Sequence, residues 1–328
     1  MNLRRAIPFC LFAFLAILLT GCSAAPNTSH STVVADAQFS GAVHGGQQPV
    51  AGASIQLYAV GTTGNGTAST PLLTSAVTSD ANGKFTITGK YTCGSAGFVY
   101  AVATGGNPGL STNNPNIALM AAVGPCGGLN SNTFFNINEL TTVAAVSALA
   151  PFMTSVTAIG ATGSFPASMG AAFGLANEFV NNTTGLSPGT GIPSGYTVPT
   201  GEINTLADIL SACINSTGGT AGDGSLCGQL FSLTTVGSNP PPTDTIQAML
   251  NLANNPPLNT SALYALLPPT PPFQPTLTSA PANFSLSLQS VAANEANPFA
   301  VHSQNVIVSS LSPIRAPYIT MNSSGNRS

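Results

Sequence analysis

Between Ala37 and Val102 apolar and polar residues alternate in short runs: Phe39 to Val43, Ala53 to Val60, Leu72 to Val77, Lys84 to Ile87 and Phe98 to Val102. A period of two puts successive side chains on opposite faces of an extended chain, so each run reads as a strand with one face buried. The breaks between runs carry Gly, Pro, Asn and Asp, residues suited to turns. The pattern predicts an antiparallel β-sandwich over residues 37–136.

From Asn138 the apolar spacing changes to three and four. Leu140, Val143, Ala144 and Ser147 share one face of a segment that stops at Pro151; Met169, Phe173, Ala176 and Val180 share another; Ile203, Leu206, Ala207, Leu210 and Cys213 share a third. A short fourth helix is predicted near Ser225. A fifth is predicted behind Thr243, with Ile246, Met249, Leu250 and Ala253 inward and Pro256-Pro257 ending it, and Ser261 to Leu267 adds a turn or two. Thr243 reads as a cap, and Glu202 and Asp244 as first-turn carboxylates facing the positive end of a helix dipole.

The expected architecture is therefore α+β in two domains, the sandwich followed by an all-α domain over residues 137–267. Residues 268–328 read as a Pro-rich linker and a poorly ordered tail. Pro268 to Pro275 forms a stiff polyproline run. Phe284 to Leu288 and Val306 to Val308 alternate like strands, but so short a stretch seldom makes a domain alone.

The first residues carry a different signal. Arg4 and Arg5 precede an uncharged run from Ala6 to Leu19, too short to span a bilayer comfortably and closed by small residues. Residues 1–21 thus read as a cleaved signal peptide. Leu19-Thr20-Gly21-Cys22 resembles the lipobox of bacterial lipoproteins, in which the cysteine after the cut receives acyl chains. That resemblance implies lipidation at Cys22 and a stable membrane anchor, because two or more acyl chains hold where one does not. Residues 22–36, small and polar, read as a flexible tether. Ser23 and Ala24, with no acid beside the cysteine, favour the outer membrane of the cell envelope within that family.

Charge sharpens the picture. Charged residues make up 5% of the chain, against about 25% in ordinary globular proteins. Removal of Arg4 and Arg5 would leave only Lys84, Lys90, Arg315 and Arg327 as strong cations. No basic patch is available for phosphates, so nucleic acid is not an expected partner. With Cys10 removed and Cys22 lipidated, Cys93, Cys126, Cys213 and Cys227 remain, an even number suited to two disulfides in an oxidising compartment. Of the three connectivities, Cys93–Cys126 with Cys213–Cys227 fits the domain division. No cysteine pair has zinc-knuckle spacing, and no histidine lies near one, so no metal site is expected.

Residues in the first domain also carry a resemblance. Gly41-Ala42-Val43, Pro49-Val50-Ala51-Gly52-Ala53-Ser54-Ile55-Gln56-Leu57 and Thr78-Ser79-Asp80-Ala81-Asn82-Gly83-Lys84-Phe85 resemble the carboxypeptidase regulatory-like, or transthyretin-like, domain, a small seven-stranded sandwich. Pro49 and Gly52 would shape the turn into a central strand, and Asp80-Ala81-Asn82-Gly83 a hairpin. These are framework positions, so the resemblance implies shape and no catalytic group. Together with Asn138 to Ala144, Ile203 to Asp208 and Asn215 to Gly224, the run is similar to the N-terminal half of bacterial lipoproteins, several of which continue into NHL-type propellers. The tail here can hold only one blade, so any function of a propeller does not transfer.

Candidate chemistry is sparse. Gly185-Leu186-Ser187-Pro188-Gly189 matches a nucleophile elbow in letters, but Pro188 lacks the backbone N–H an oxyanion hole needs there, and the segment reads as a turn. His44-Gly45-Gly46 reads as a strand end and loop, with His30 in the tether and His302 in the tail. Glu202 and Asp208, six apart on a helix, fall on different faces. Asp80-Ala81-Asn82-Gly83 and Asp223-Gly224 lack the bidentate acid of a calcium loop. No phosphate loop or dinucleotide fingerprint occurs, so no cofactor is expected. Trp is absent, leaving Tyr58, Tyr91, Tyr100, Tyr196 and Tyr264 as weak stacking platforms. The sequence thus points to a lipid-anchored envelope protein with a non-enzymatic binding or structural role, its partner another envelope protein or a polysaccharide. The rival expectation is a hydrolase of envelope or extracellular polymer.

Overall fold

Period-two burial is visible in the strands Ser54–Ala59 and Lys84–Ile87. The computed structural model describes residues 34–35, 38–88, 91–92, 97–163 and 166–291. The strands are β1 (Val34–Ala35), β2 (Phe39–Gly45), β3 (Gln48–Pro49), β4 (Ser54–Ala59), β5 (Thr70–Pro71), β6 (Val77–Thr78), β7 (Lys84–Ile87), β8 (Tyr91–Thr92), β9 (Phe98–Thr104), β10 (Ala118–Pro125), β11 (Phe134–Ile137), β12 (Met153–Ser155), β13 (Ala158–Ile159), β14 (Tyr196–Thr197) and β15 (Gln289–Ser290). In β4, Ile55, Leu57 and Ala59 point inward, and in β7 Phe85 and Ile87 do, as the alternation predicts.

One sheet runs β10-β9-β4-β5 with β6 also on β4, all antiparallel. The other runs β11-β2-β3 with β7 also on β2. It is mixed rather than antiparallel throughout: β11 lies parallel to β2, Phe135 beside Gly41. The chain reaches β11 from β10 through a short 3-10 turn at Cys126–Gly128 and a tight loop, and enters the second sheet from its first-sheet neighbour rather than by a hairpin. The expected strand over Leu72 to Val77 is instead the two short pieces β5 and β6.

The turn at Asp80 forms as its residues dictate. Asp80 Oδ1 accepts the N–H groups of Asn82 (2.8 Å) and Lys84 (2.9 Å), and Gly83 takes the left-handed φ of 72° that an L side chain resists. It is not a hairpin, however. Strand β6 pairs with β4 and β7 with β2, so the turn carries the chain from one sheet to the other.

The helices are α1 (Glu139–Leu149), α2 (Ala167–Phe179), α3 (Thr200–Ile214), α4 (Leu226–Leu233), α5 (Thr245–Asn254) and α6 (Thr260–Tyr264). Asn138 starts α1 with a capping box: its side chain accepts the Thr141 N–H and the Thr141 hydroxyl accepts the Asn138 N–H, both at 2.9 Å. Helix α1 packs on α2, α3, α5 and β10 and is buried on every side. Ser147, expected on its inward face, is the one residue of the helix not buried. Ser225 caps α4. Asp244, not Thr243, caps α5, its carboxylate accepting the Gln247 N–H at 2.8 Å. Glu202 occupies the first turn of α3 as expected.

The helices do not form a core of their own. A single cluster of buried apolar side chains runs from Phe39 in β2 through Leu119 in β10 and Val143 in α1 to Phe284. Each fully buried Leu, Ile or Phe in it contributes about 1.5–3 kcal/mol. The part of the expected tail up to Val291 joins this fold: Phe273 and Phe284 are buried, and β15 pairs with β14. Among the described residues no helix is long and apolar enough to cross a membrane.

Candidate binding groove

A groove of about 580 Å³ opens where four segments meet. The β2–β3 turn brings Gly45 to Gln48, the end of α3 brings Ser211, Ala212 and Asn215, α4 brings Leu226 and Gln229, and the strap after α6 brings Ala265 to Pro272. Glycine at 45 is a packing requirement. A Cβ there would press against the Ile214 side chain at 2.7 Å, so the turn approaches α3 as closely as it does only without one. Gln47 Nε2 donates to the Pro272 carbonyl at 3.1 Å, bridging turn and strap.

The strap is held by polar side chains along α3. Phe273 N–H donates to Asp208 Oδ1 (2.9 Å), Leu277 N–H to Thr205 Oγ1 (2.8 Å), and Asn204 Nδ2 to the Pro275 carbonyl (3.0 Å). From α6, Tyr264 adds an O–H bond to the Leu277 carbonyl at 2.7 Å. This explains why Asn204, Thr205 and Asp208 are buried on a helix. Their partners are backbone groups of an irregular segment that would otherwise lose water without replacement.

A second buried acid, Glu139, occupies the first turn of α1. Both side chains are 0% exposed. Glu139 Oε1 accepts the Gly46 N–H at 2.6 Å, tying α1 to the groove turn. Burial pushes the Glu139 carboxyl up to about 8, with the Asp208 charge adding to the rise, and pushes Asp208 up to about 7 against the opposing bond from Phe273. Glu139 Oε2, Asp208 Oδ2 and Asn215 Oδ1 are buried acceptors without a hydrogen-bond partner. Sequence spacing put Glu202 and Asp208 on different faces of one helix; the structure leaves Glu202 half-buried, whereas Asp208 is fully buried and bonded to the strap. The signal available in the sequence was an acid inside an apolar run with scarcely a Lys or Arg to pair it.

The other sequence candidates are dispersed. His44 is half-buried on β2 opposite Pro49, and burial lowers its pKa. Ser187 lies in the turn after α2, its hydroxyl 3.3 Å from Thr200 Oγ1. Asp223 is turned on its own loop, accepting from Thr220 N–H and from the N–H and hydroxyl of Ser225, which holds its carboxyl down at about 2. Among the described residues no cluster of three or more His, Cys, Asp or Glu has metal-site geometry. Tyr91 and Tyr100 are buried, and Tyr100 stacks on Tyr58 with centroids 5.4 Å apart, so these rings serve the core.

Cys213 and Cys227 form the expected disulfide between α3 and α4 beside the groove. Closing a loop of this length contributes about 3 kcal/mol. Cys126 is buried and disulfide-bonded; Cys93, its expected partner, and the lipidation candidate Cys22 lie outside the described residues. Asn114, which no pattern in the sequence singles out, joins this corner to the sheets. Its Nδ2 donates to the Cys213 and Ile214 carbonyls at 2.8 and 3.2 Å, capping α3 from the β9–β10 loop.

Three smaller cavities share the groove's chemistry. One of about 330 Å³ is walled by Asn132, Asn177, Asn181, Asn182 and Thr183 beside Phe134, which is 39% exposed. Neither this one, nor the groove, nor the cavities at Phe231 and at Ser232 is lined by a titratable side chain. No protein-family model matches the chain, and comparison with curated proteins and with solved structures likewise finds no match.

Proposed function

We propose that the protein is a lipid-anchored component of the bacterial cell envelope, held at the outer membrane through Cys22, that binds an uncharged polymer such as a polysaccharide without transforming it. The observation that carries this reading is the lining of the cavities: amides, hydroxyls, prolines and leucines, with no titratable group. Such walls offer hydrogen bonds to sugar hydroxyls and apolar contact to their carbon faces, while nothing attracts a charged ligand. The two sheets bridged by the Asp80 turn, with Gly52 at φ 71° ahead of β4, support a transthyretin-like sandwich as the platform beneath the groove.

Binding is tested with the full-length lipoprotein in detergent, by co-sedimentation with insoluble neutral polysaccharides and by titration calorimetry with neutral oligosaccharides. Leu226, 43% exposed on the groove wall, is the place to insert a charge. Leu226→Asp is expected to weaken binding about tenfold, or about 1.4 kcal/mol. Failure of any neutral polymer to bind the wild type sinks the proposal. Fatty-acid labelling lost in Cys22→Ala tests the anchor.

The buried acids favour one rival, a polymer hydrolase. With both carboxyls at 0% exposure and each tied to a backbone N–H, a substrate bond cannot reach them without opening the groove. Release of reducing ends from a bound polysaccharide, abolished in Glu139→Gln, would establish the hydrolase instead.

A further inference from the structure

We infer that the asparagine-walled cavity beside Phe134 is a second neutral-sugar subsite, separate from the groove, in which Asn181 and Asn182 take adjacent hydroxyls of a sugar unit and the Phe134 ring covers its carbon face. The cavity opens between the end of β10, the loop that leads into β11, and the segment that follows α2. It shares no lining residue with the groove. Strand β11 sets Phe134 beside Ser40 of β2, whereas the groove turn leaves β2 at Gly45, so about 17 Å of extended chain lies between the two.

The walls are braced by asparagines. Asn136 Nδ2 donates to the Thr183 carbonyl (2.7 Å) and Asn138 Nδ2 to the Gly185 carbonyl (2.9 Å), so β11 and the start of α1 hold the turn that follows α2. Asn177 Nδ2 reaches the Ala122 carbonyl of β10 at 3.2 Å. The two glycines of Gly185-Leu186-Ser187-Pro188-Gly189 belong to the same construction. A Cβ on Gly185 would meet the Asn138 amide at 2.9 Å, and one on Gly189 would run into the Asn177 carbonyl. The letters that match a nucleophile elbow thus lay this segment against β11 and α2, where the Thr190 N–H bonds the Asn177 carbonyl at 3.1 Å.

These bonds fix one end of each amide on the wall and leave the other end without a partner. Asn182 Nδ2 donates at 2.7 Å both to the Ala122 carbonyl and to Asn177 Oδ1, which uses both of its hydrogens. Its Oδ1 remains an acceptor with no partner among the described residues. Asn181 is the reverse case: Oδ1 accepts the N–H groups of Thr183 (2.9 Å) and Thr184 (3.3 Å), and Nδ2 remains a donor. A held donor and a held acceptor on consecutive residues suit vicinal hydroxyls, each of which can donate and accept. Bracing the turn employs only the fixed ends. Phe134, 39% exposed, supplies the apolar wall, and with no titratable side chain in the lining nothing favours a charged sugar. At about 330 Å³ the cavity is at the small end of ligand-sized sites, fit for a sugar unit rather than a stretch of chain. Because the amides are already held, binding orders few side chains, and affinity gains from that.

The choice of a neutral sugar rests on the proposed function, and the test separates the two. Neutral oligosaccharides of glucose, mannose and galactose are titrated by calorimetry into the full-length lipoprotein in detergent, as wild type and as Leu226→Asp, whose groove carries a charge. Binding is expected to persist in Leu226→Asp. Adding Phe134→Ala or Asn181→Asp to that variant should then weaken it about tenfold in each case. Asn181→Asp keeps the acceptor for the loop N–H groups and replaces only the free donor, and Phe134 lies at the surface, so both should melt as Leu226→Asp does. A wild type that binds while Leu226→Asp binds nothing overturns the second subsite and leaves the proposed function standing. So does residual binding that ignores both Phe134 and Asn181. A wild type that binds none of these sugars overturns both.

Discussion

The sheets and the α1–α3 interface are equally dry, yet they are filled by different residues. Around β4, β7 and β9 the interior is Ile55, Leu57, Phe85, Ile87 and Tyr100, and Ser79 is a rare buried polar group there. Along α1 and α3 the buried residues include Asn138, Glu139, Thr141, Thr142, Asn204, Thr205, Asp208 and Ser211. Strands satisfy their backbones through the ladder, so their inward side chains are free to be apolar. The helices also bond their own backbones, but the segments packed on them do not: the Gly46 turn, the Phe273–Leu277 strap and the edge of β10 all present N–H groups. Buried polar side chains on the helices meet those groups. Polarity in this core marks the joints between segments.

If the polar joint depends on a proton, it should fail with rising pH while the apolar half does not. A carboxyl whose pKa is raised on folding stabilises fully below its unfolded value near 4 and loses that contribution as pH climbs through its folded value. For Glu139 and Asp208 the loss therefore falls between the ordinary carboxylate range and about 8. Denaturant titrations across that window should show stability dropping by about 3–5 kcal/mol, the cost of an uncompensated buried charge. Glu139→Gln should flatten much of the slope, and an unchanged slope would show that the joint is not the seat of the pH dependence.

The apolar half is best broken by volume. Gly41 lies between Phe85 of β7 and Phe135 of β11, and a Cβ there would run into the Phe135 carbonyl and the Phe85 ring. Backbone cannot yield as a side-chain tip can, so Gly41→Val should cost about 3 kcal/mol or more at every pH. A urea midpoint within error of wild type would mean that β2 is not clamped as described. The smallest effect sharpens the role of local signals: Asp244→Ala removes one cap bond from α5 and should cost about 1 kcal/mol, measured the same way.

Strands β4 and β7 and helix α2 were legible because one face of each meets the core while the other is wetter. Strand β10 was not. Its run Ala118-Leu119-Met120-Ala121-Ala122 is buried on both faces, between the sheet and helices α1, α2 and α5, and a continuous apolar run has no period to read. The same holds for α1, whose spacing suggested one inward face although every side is covered. The groove was legible only in pieces, as a Gly-Gly loop, a proline run and a disulfide pair. Glu139 and Asp208 stand far apart in the chain, and spacing along a helix reports only on neighbours within that helix.

By itself the sequence determined the local alphabet: where strands alternate, where helices begin near Asn138 and Ser225, and where Asp80 turns the chain, with Cys213–Cys227 one of the pairings it left open. It also set a surface poor in charge. Tertiary structure alone decided that the helices share the sheets' core, that the proline strap is sewn to α3, and that two acids distant in the chain are both fully buried. The physical reason is the range of the forces. Turns, caps and periodicity act over a few residues, whereas desolvation depends on what a distant segment brings to cover a side chain.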